Sequence, residues 1–205
     1  MIDLYTWGTP NGHKISIMLE EIKLPYTVHK INLSEREQFK TKYLKINPNN
    51  KIPSIIDQDG PGGKPMTLFE SGAILIYLAD KTGKLLPKNL RDRAITIQWL
   101  MFQMANIGPM LGQANHFLKY AKKKIPYAIE RYSNEAKRIY GVLNKHLKDN
   151  EHLAGKYSIA DIAAFPWIDI HDDQQIDLNE FKHVKRWHNE IAARTAVKKG
   201  LLIPF

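Results

Sequence analysis

The chain has 205 residues, 43% apolar and 25% charged, a balance that fits one large or two small folded domains and argues against general disorder. It has no cysteine, which excludes disulfides, cysteine-bound zinc and cysteine-held iron–sulfur clusters, so any thiol chemistry must use a thiol carried in by a ligand. The formal net charge of +9 attracts anions in general, but no zinc-finger spacing or aromatic-rich RNA-binding motif accompanies it.

In chain order, Ile2 to Tyr5 reads as a strand and Thr9-Pro10-Asn11-Gly12 as a turn. Ile15, Met18, Leu19 and Ile22 then form a helical stripe, with Asn11 as a candidate N-cap. Tyr26 to Ile31 reads as a second strand, and Glu37 to Leu44 as a short helix ending before Asn47-Pro48. Ile55-Ile56-Asp57 and Met66-Thr67-Leu68 read as a hairpin joined by Asp59-Gly60-Pro61-Gly62-Gly63. Ser71 to Thr82 is apolar almost all round, the mark of a buried helix. This βαβαββα order is a thioredoxin-like arrangement. Its expected extent is 1–82, with a linker over 83–89 and an all-helical domain over 90–205.

In that second region Arg91 to about Leu118 forms one helical pattern, broken or bent at Gly108-Pro109. Tyr127 to Asp149 forms another, with its apolar face on Ile129, Tyr132, Ala136, Ile139 and Leu143. Ser158 and Asp161 have capping-box spacing. Phe181, Val184, Trp187 and Ile191 mark the last clear helical face. The lysines at 119, 122, 123 and 124 read as a solvated helix end, and His171-Asp172-Asp173 as a surface turn rather than a metal cluster. The start lacks the basic segment and apolar run of a signal peptide, and no apolar stretch reaches the ~18 residues of a membrane span. The expectation is a cytoplasmic protein with no metal, membrane or nucleic-acid partner.

Four local motifs sharpen the reading: Thr9-Pro10-Asn11-Gly12, Asn50-Lys51-Ile52-Pro53, Phe69-Glu70-Ser71-Gly72 and Ser158-Ile159-Ala160-Asp161. Together they resemble a cytosolic glutathione transferase along nearly the whole chain. Pro48 to Pro53, Leu68 to Leu78, Gly108 to Gln113 and Ile125 to Tyr132 resemble the bacterial Nu-class, or prion-Ure-like, branch, whose members are glutathione-dependent disulfide-bond oxidoreductases.

The resemblance implies a site. Ile52-Pro53 is a cis bond in that family, and the backbone of the residue before the proline pairs with the cysteinyl part of glutathione. Ser71 and its helix N-terminus suit the γ-glutamyl carboxylate, and Glu70 suits the ammonium. From the residues alone, Ser71 can equally be a helix cap and Glu70 a solvated neighbour. Lys51 and Gln38 fall near the glycyl end. Thr9 and Asn11 are the sulfur-contacting positions, with Tyr5, read as core, the rival hydroxyl. Arg131 falls where the branch reaches the second glutathione of a glutathione disulfide, though an intrahelical pair with Glu135 is open. The implied co-substrate is reduced or oxidised glutathione, and the implied assembly is a homodimer. Disulfide reduction leads. Conjugation of glutathione to apolar electrophiles is the alternative enzyme reading, and a non-catalytic regulatory or interaction protein the third.

Overall fold

The computed structural model describes all 205 residues, which divide into two compact units. The first comprises Met1–Lys84 together with Ala193–Phe205, and the second Leu85–Ala192.

The first unit is built on strand β1 (Ile2–Thr6), helix α1 (Pro10–Ile22), strand β2 (Tyr26–Lys30), the short helix α2 (Thr41–Leu44), strands β3 (Ser54–Asp57) and β4 (Met66–Phe69), and helix α3 (Ser71–Thr82). A single 3₁₀ turn, Glu37–Phe39, leads into α2. The sheet order is β2-β1-β3-β4, with β1 parallel to β2 and antiparallel to β3, and β3 antiparallel to β4. Side chains alternate across a strand. Ile2, Leu4 and Thr6 therefore face the helices and are buried, while Asp3 and Tyr5 face the other side and stay half-exposed.

The predicted stripe of α1 is the core: Ile15, Met18 and Leu19 are fully buried and Ile22 nearly so. Burying each such side chain contributes about 1.5–3 kcal/mol. α1 ends where Lys23 turns left-handed at φ +58°. α3 spans the predicted residues and stops at Gly83, whose φ of +67° suits glycine.

Residues 193–205, expected within the helical region, group with this first unit. They carry helix α9 (Thr195–Leu201), which packs against α1. Gly200 allows that contact, since a Cβ there would lie 2.7 Å from Ile17 Cα. The Ser16 hydroxyl donates to the Gly200 carbonyl at 2.7 Å, and Arg194 grips Glu21 with two bonds of 2.7 and 3.0 Å.

The second unit contains α4 (Leu90–Phe102), α5 (Gly108–Asn115), α6 (Pro126–His146), α7 (Ile159–Ile168) and α8 (Lys182–Ala192). The predicted bend at Gly108-Pro109 takes the form of a π turn over Gln103–Ile107, with the proline just inside α5. A second π turn, His116–Tyr120, closes α5. The expected face of α6 is buried at Ala136, Ile139 and Leu143, while Ile129 and Tyr132 remain half-exposed. Ser158 and Asp161 form the predicted capping box at the start of the buried α7. The Asp161 carboxylate also accepts from Leu153 N–H at 3.0 Å and from Trp187 Nε1 at 2.9 Å, tying α8 to α7. The 83–89 stretch is partly docked: the Leu85 carbonyl accepts from Ile159 N–H at 3.0 Å, and Leu86 is buried. Lys119 pairs with Asp173 at 2.6 Å, and His171 Nδ1 donates to the Ile176 carbonyl at 2.8 Å.

Candidate functional site

Strand register explains why distant motifs meet. Tyr5 lies opposite Ser54, and Ser54 lies opposite Phe69. The chain therefore leaves β1, enters β3 and leaves β4 at the same end of the sheet. Thr9 and Asn11 follow β1, Ile52-Pro53 precede β3, and Glu70-Ser71 follow β4, so all three motifs gather at that end. β2 is parallel to β1, with Thr6 opposite Lys30, so the segment leading to Gln38 also departs there.

Thr9, not Asn11, caps α1. Its backbone is extended at φ −136° and ψ 159°, its Oγ1 accepts from Gly12 N–H at 3.3 Å, and Pro10 presets the first helical φ. Asn11 therefore lies inside the first turn. A capping threonine uses an oxygen lone pair and keeps its hydroxyl hydrogen for a second partner. Gly12 draws this turn tightly onto the end of β1: a Cβ would lie 2.2 Å from the Trp7 carbonyl oxygen.

Tyr5 sits half-buried rather than in the core. It lies on the sheet face away from Leu4 and Thr6, stacked on His29 with ring centres 4.5 Å apart. Burial, then the nearby Asp3 carboxylate, raises its phenol pKa. Both effects disfavour a phenolate.

Two buried residues that the sequence reading missed pin the loop before β3. Tyr43 and Asn47 both donate to the Lys51 carbonyl, at 2.7 and 2.6 Å. Because the Tyr43 hydrogen is committed there, Ser54 donates to the Tyr43 oxygen at 3.0 Å. The Ile52-Pro53 peptide is cis. The Lys51 side chain is exposed, and Gln38 Oε1 is buried without a hydrogen-bond partner.

Glu70 stands at φ +69° and ψ 111°, a conformation that costs a non-glycine residue of order 1–3 kcal/mol and gathers at functional sites. Its side chain is exposed, whereas Ser71, the first residue of α3, is 5% exposed. Behind Ser71 lies Lys14, 1% exposed, whose Nζ donates to Ser71 Oγ at 3.2 Å. Sequence reading missed Lys14 as well. The available signal was its phase: it stands four residues before Met18, on the buried stripe of α1.

Arg131 belongs to the second unit, on the exposed side of α6. The Glu135 carboxylate is held by Arg138 with two bonds of 2.7 Å. Arg131 also helps hold the Glu135 carboxyl below its ordinary pKa, after the stronger pull of Arg138.

The description "Glutathione S-transferase, N-terminal domain" matches residues 1–80, and "Glutathione S-transferase, C-terminal domain" matches residues 100–195. The chain is 52% identical over 204 residues to the disulfide-bond oxidoreductase YfcG of Escherichia coli, covering 98% of this chain and 95% of that one. A glutathione transferase family member of Pseudomonas fluorescens, solved with two glutathiones bound, superposes with a TM-score of 0.96 at 51% identity, covering 99% and 93% of the two chains. A glutathione transferase of Pseudomonas putida, solved with one glutathione disulfide per subunit, gives 0.94 at 46% identity, covering 100% and 92%.

Proposed function

Because the chain belongs to the glutathione S-transferase family through both of its domains, we propose that it is a glutathione-dependent disulfide-bond oxidoreductase. The observation that carries this reading is the near-full-length likeness to a protein named for that activity, in a chain with no cysteine of its own. Every reacting thiol then comes from glutathione or from the substrate.

In this reading Ser71 and the N-terminus of α3 take the γ-glutamyl carboxylate, and Glu70 takes the ammonium. Ile52 pairs through its backbone with the cysteinyl part, with Pro53 shaping that turn. Lys51 and Gln38 meet the glycyl end. Thr9 and Asn11 hold the sulfur, and Arg131 meets a second glutathione.

The energetics are adequate. Lowering a thiol pKa from ~8.5 by ~2 units needs about 2.7 kcal/mol in favour of the thiolate. One neutral hydroxyl bond supplies roughly 0.5–1.5 kcal/mol and a helix N-terminus about 0.3–1. Thr9, Asn11 and the start of α1 together approach the requirement. Disulfide exchange asks for less, because very acidic thiols are poorer nucleophiles.

The exchange balances without a protein thiol. One glutathione thiolate attacks a substrate disulfide, forming a new S–S bond and expelling one substrate thiolate. A second glutathione thiolate attacks the glutathione sulfur of that mixed disulfide, expelling the other substrate thiolate and leaving glutathione disulfide. The expelled thiolates take up the protons lost by the two glutathione thiols.

The test compares reduction of hydroxyethyl disulfide by glutathione with conjugation of glutathione to an aryl halide. Disulfide reduction is expected to be the faster reaction. Strong conjugation with negligible reduction would replace this reading with a conjugating transferase.

The protein works as a homodimer in the cytoplasm, where glutathione keeps thiols reduced. No helix is long and apolar enough to cross a membrane. Leu90 and Met101, eleven residues apart on one face of α4, are exposed apolar side chains that a second copy would cover. Light scattering at twice the chain mass of 23.7 kDa is the expected result, and a monomer at micromolar concentration would remove that part of the reading.

A further inference from the structure

We infer that Lys14 is a positioning residue for the γ-glutamyl carboxylate of glutathione: an ammonium set behind Ser71 that brings positive charge to the place of that carboxylate and takes up a proton as the ligand binds. This rests on the reading that Ser71 meets that carboxylate.

Lysines are almost never fully buried without a partner, because removing an ammonium from water is costly. Lys14 is nevertheless 1% exposed, with Nζ 3.2 Å from Ser71 Oγ. An ammonium can only donate, so the Ser71 oxygen accepts from it. The same ammonium supplies positive charge beneath the N-terminus of α3, in a setting where water screens little.

The surroundings make this charge responsive. The sheet face toward α1 offers Ile2, Leu4 and Thr6, none of which carries charge. On α9, Lys198 and Lys199 are exposed and Arg194 is committed to Glu21. His13 is the neighbour on α1 itself, and α3 brings Glu70 at its start. Burial pulls Lys14 down to about 7, against an upward pull from Glu70. Near neutral pH, the proton on Lys14 is therefore easily exchanged. A carboxylate arriving at Ser71 favours the ammonium, because it brings a negative charge close to Nζ, which lies 3.2 Å from Ser71 Oγ. Glutathione recognition is in this way coupled to proton uptake.

Calorimetric titration with S-methylglutathione, which has no titrating thiol, tests this at about pH 7.5 in buffers of different ionisation heat. The wild type is expected to take up about half a proton on binding. Lys14→Met is expected to bind about tenfold more weakly, with that uptake lost. Wild-type affinity or undiminished uptake in Lys14→Met would overturn the proposal. If Lys14→Met does not fold, the wild type alone decides: uptake that grows from about pH 6.5 to about pH 8 supports the proposal, and no uptake overturns it. Ser71→Ala separates the two readings. If it weakens binding while Lys14→Met does not, only the role of Lys14 fails. If it binds as the wild type does, the placing of the carboxylate at Ser71 fails, and the role of Lys14 with it.

Discussion

In the proposed reading, Thr9 has two duties in one side chain, and they can be separated. Its oxygen caps α1 by accepting from Gly12 N–H, and its hydrogen is the group proposed to stabilise a ligand sulfur. Thr9→Ala is therefore expected to cost about 1 kcal/mol of stability through the lost cap. It is also expected to lower turnover by about tenfold or more, equivalent to ~1.4 kcal/mol in the barrier. Thr9→Ser should retain both, and Tyr5→Phe should be mild because Tyr5 lies on the other sheet face. Chemical denaturation reads the first effect and disulfide-reductase turnover the second. Turnover unaffected in Thr9→Ala would shift sulfur stabilisation to Asn11 and the backbone N–H groups of α1. At this scale the candidate site was legible where a residue stands inside a short motif, as Thr9, Ile52, Pro53, Glu70 and Ser71 do. Lys14, Tyr43 and Asn47 were not legible. Lys14 acts through a contact with Ser71 far along the chain, and Tyr43 and Asn47 through the nearby Lys51 carbonyl; a lone lysine, tyrosine or asparagine announces no such contact.

Among the elements, the helix over 71–82 could be read to the residue, because a continuous apolar run begins at a serine and stops at a glycine. The π turns could not. Each spans only five residues, and no residue type marks where an N–H reaches one carbonyl further back. α9 left the weakest trace, since its seven residues bury only Val197 and Gly200. Its attachment nevertheless depends on a near-contact between backbones. Gly200→Val is expected to destabilise the protein by about 1–3 kcal/mol, the usual cost of overpacking, because the added carbons would meet Ile17. Thermal unfolding measures this, and an unchanged midpoint would mean that α9 adds nothing to the cooperative unit. The same variant should leave the capping of α1 by Thr9 intact, since Gly200 sits over Ile17 and not over the first turn.

For the whole molecule, the pH profile of stability follows from a few buried groups. Lys14 has a folded pKa of about 7, below its unfolded value, so between that pH and about 10 the unfolded chain binds more protons. Its contribution to stability therefore rises with pH across that window, and Lys14→Met should flatten the rise. Asp57 behaves differently. Burial pushes its carboxyl up, but Lys81, Tyr77 and the Asp59 N–H outweigh this and hold it below the usual value. The stability it contributes is present above the ordinary carboxylate pKa and is lost as acid protonates it. Urea unfolding of the wild type and Lys14→Met across pH measures both limbs, and parallel curves for the two proteins would refute the assignment to Lys14. The division into an α/β part and a helical part was legible from the fading of strand signals after Thr82, but the return of residues 193–205 to the first unit was not. That return has a temporal side. A ribosome makes the sheet, α1 and α3 first, then more than a hundred residues of helical protein, and only then α9. Until that last segment emerges, the outer flank of α1 around Ser16 and Ile17 is bare, and the nascent sheet unit waits for a piece of itself made after its neighbour.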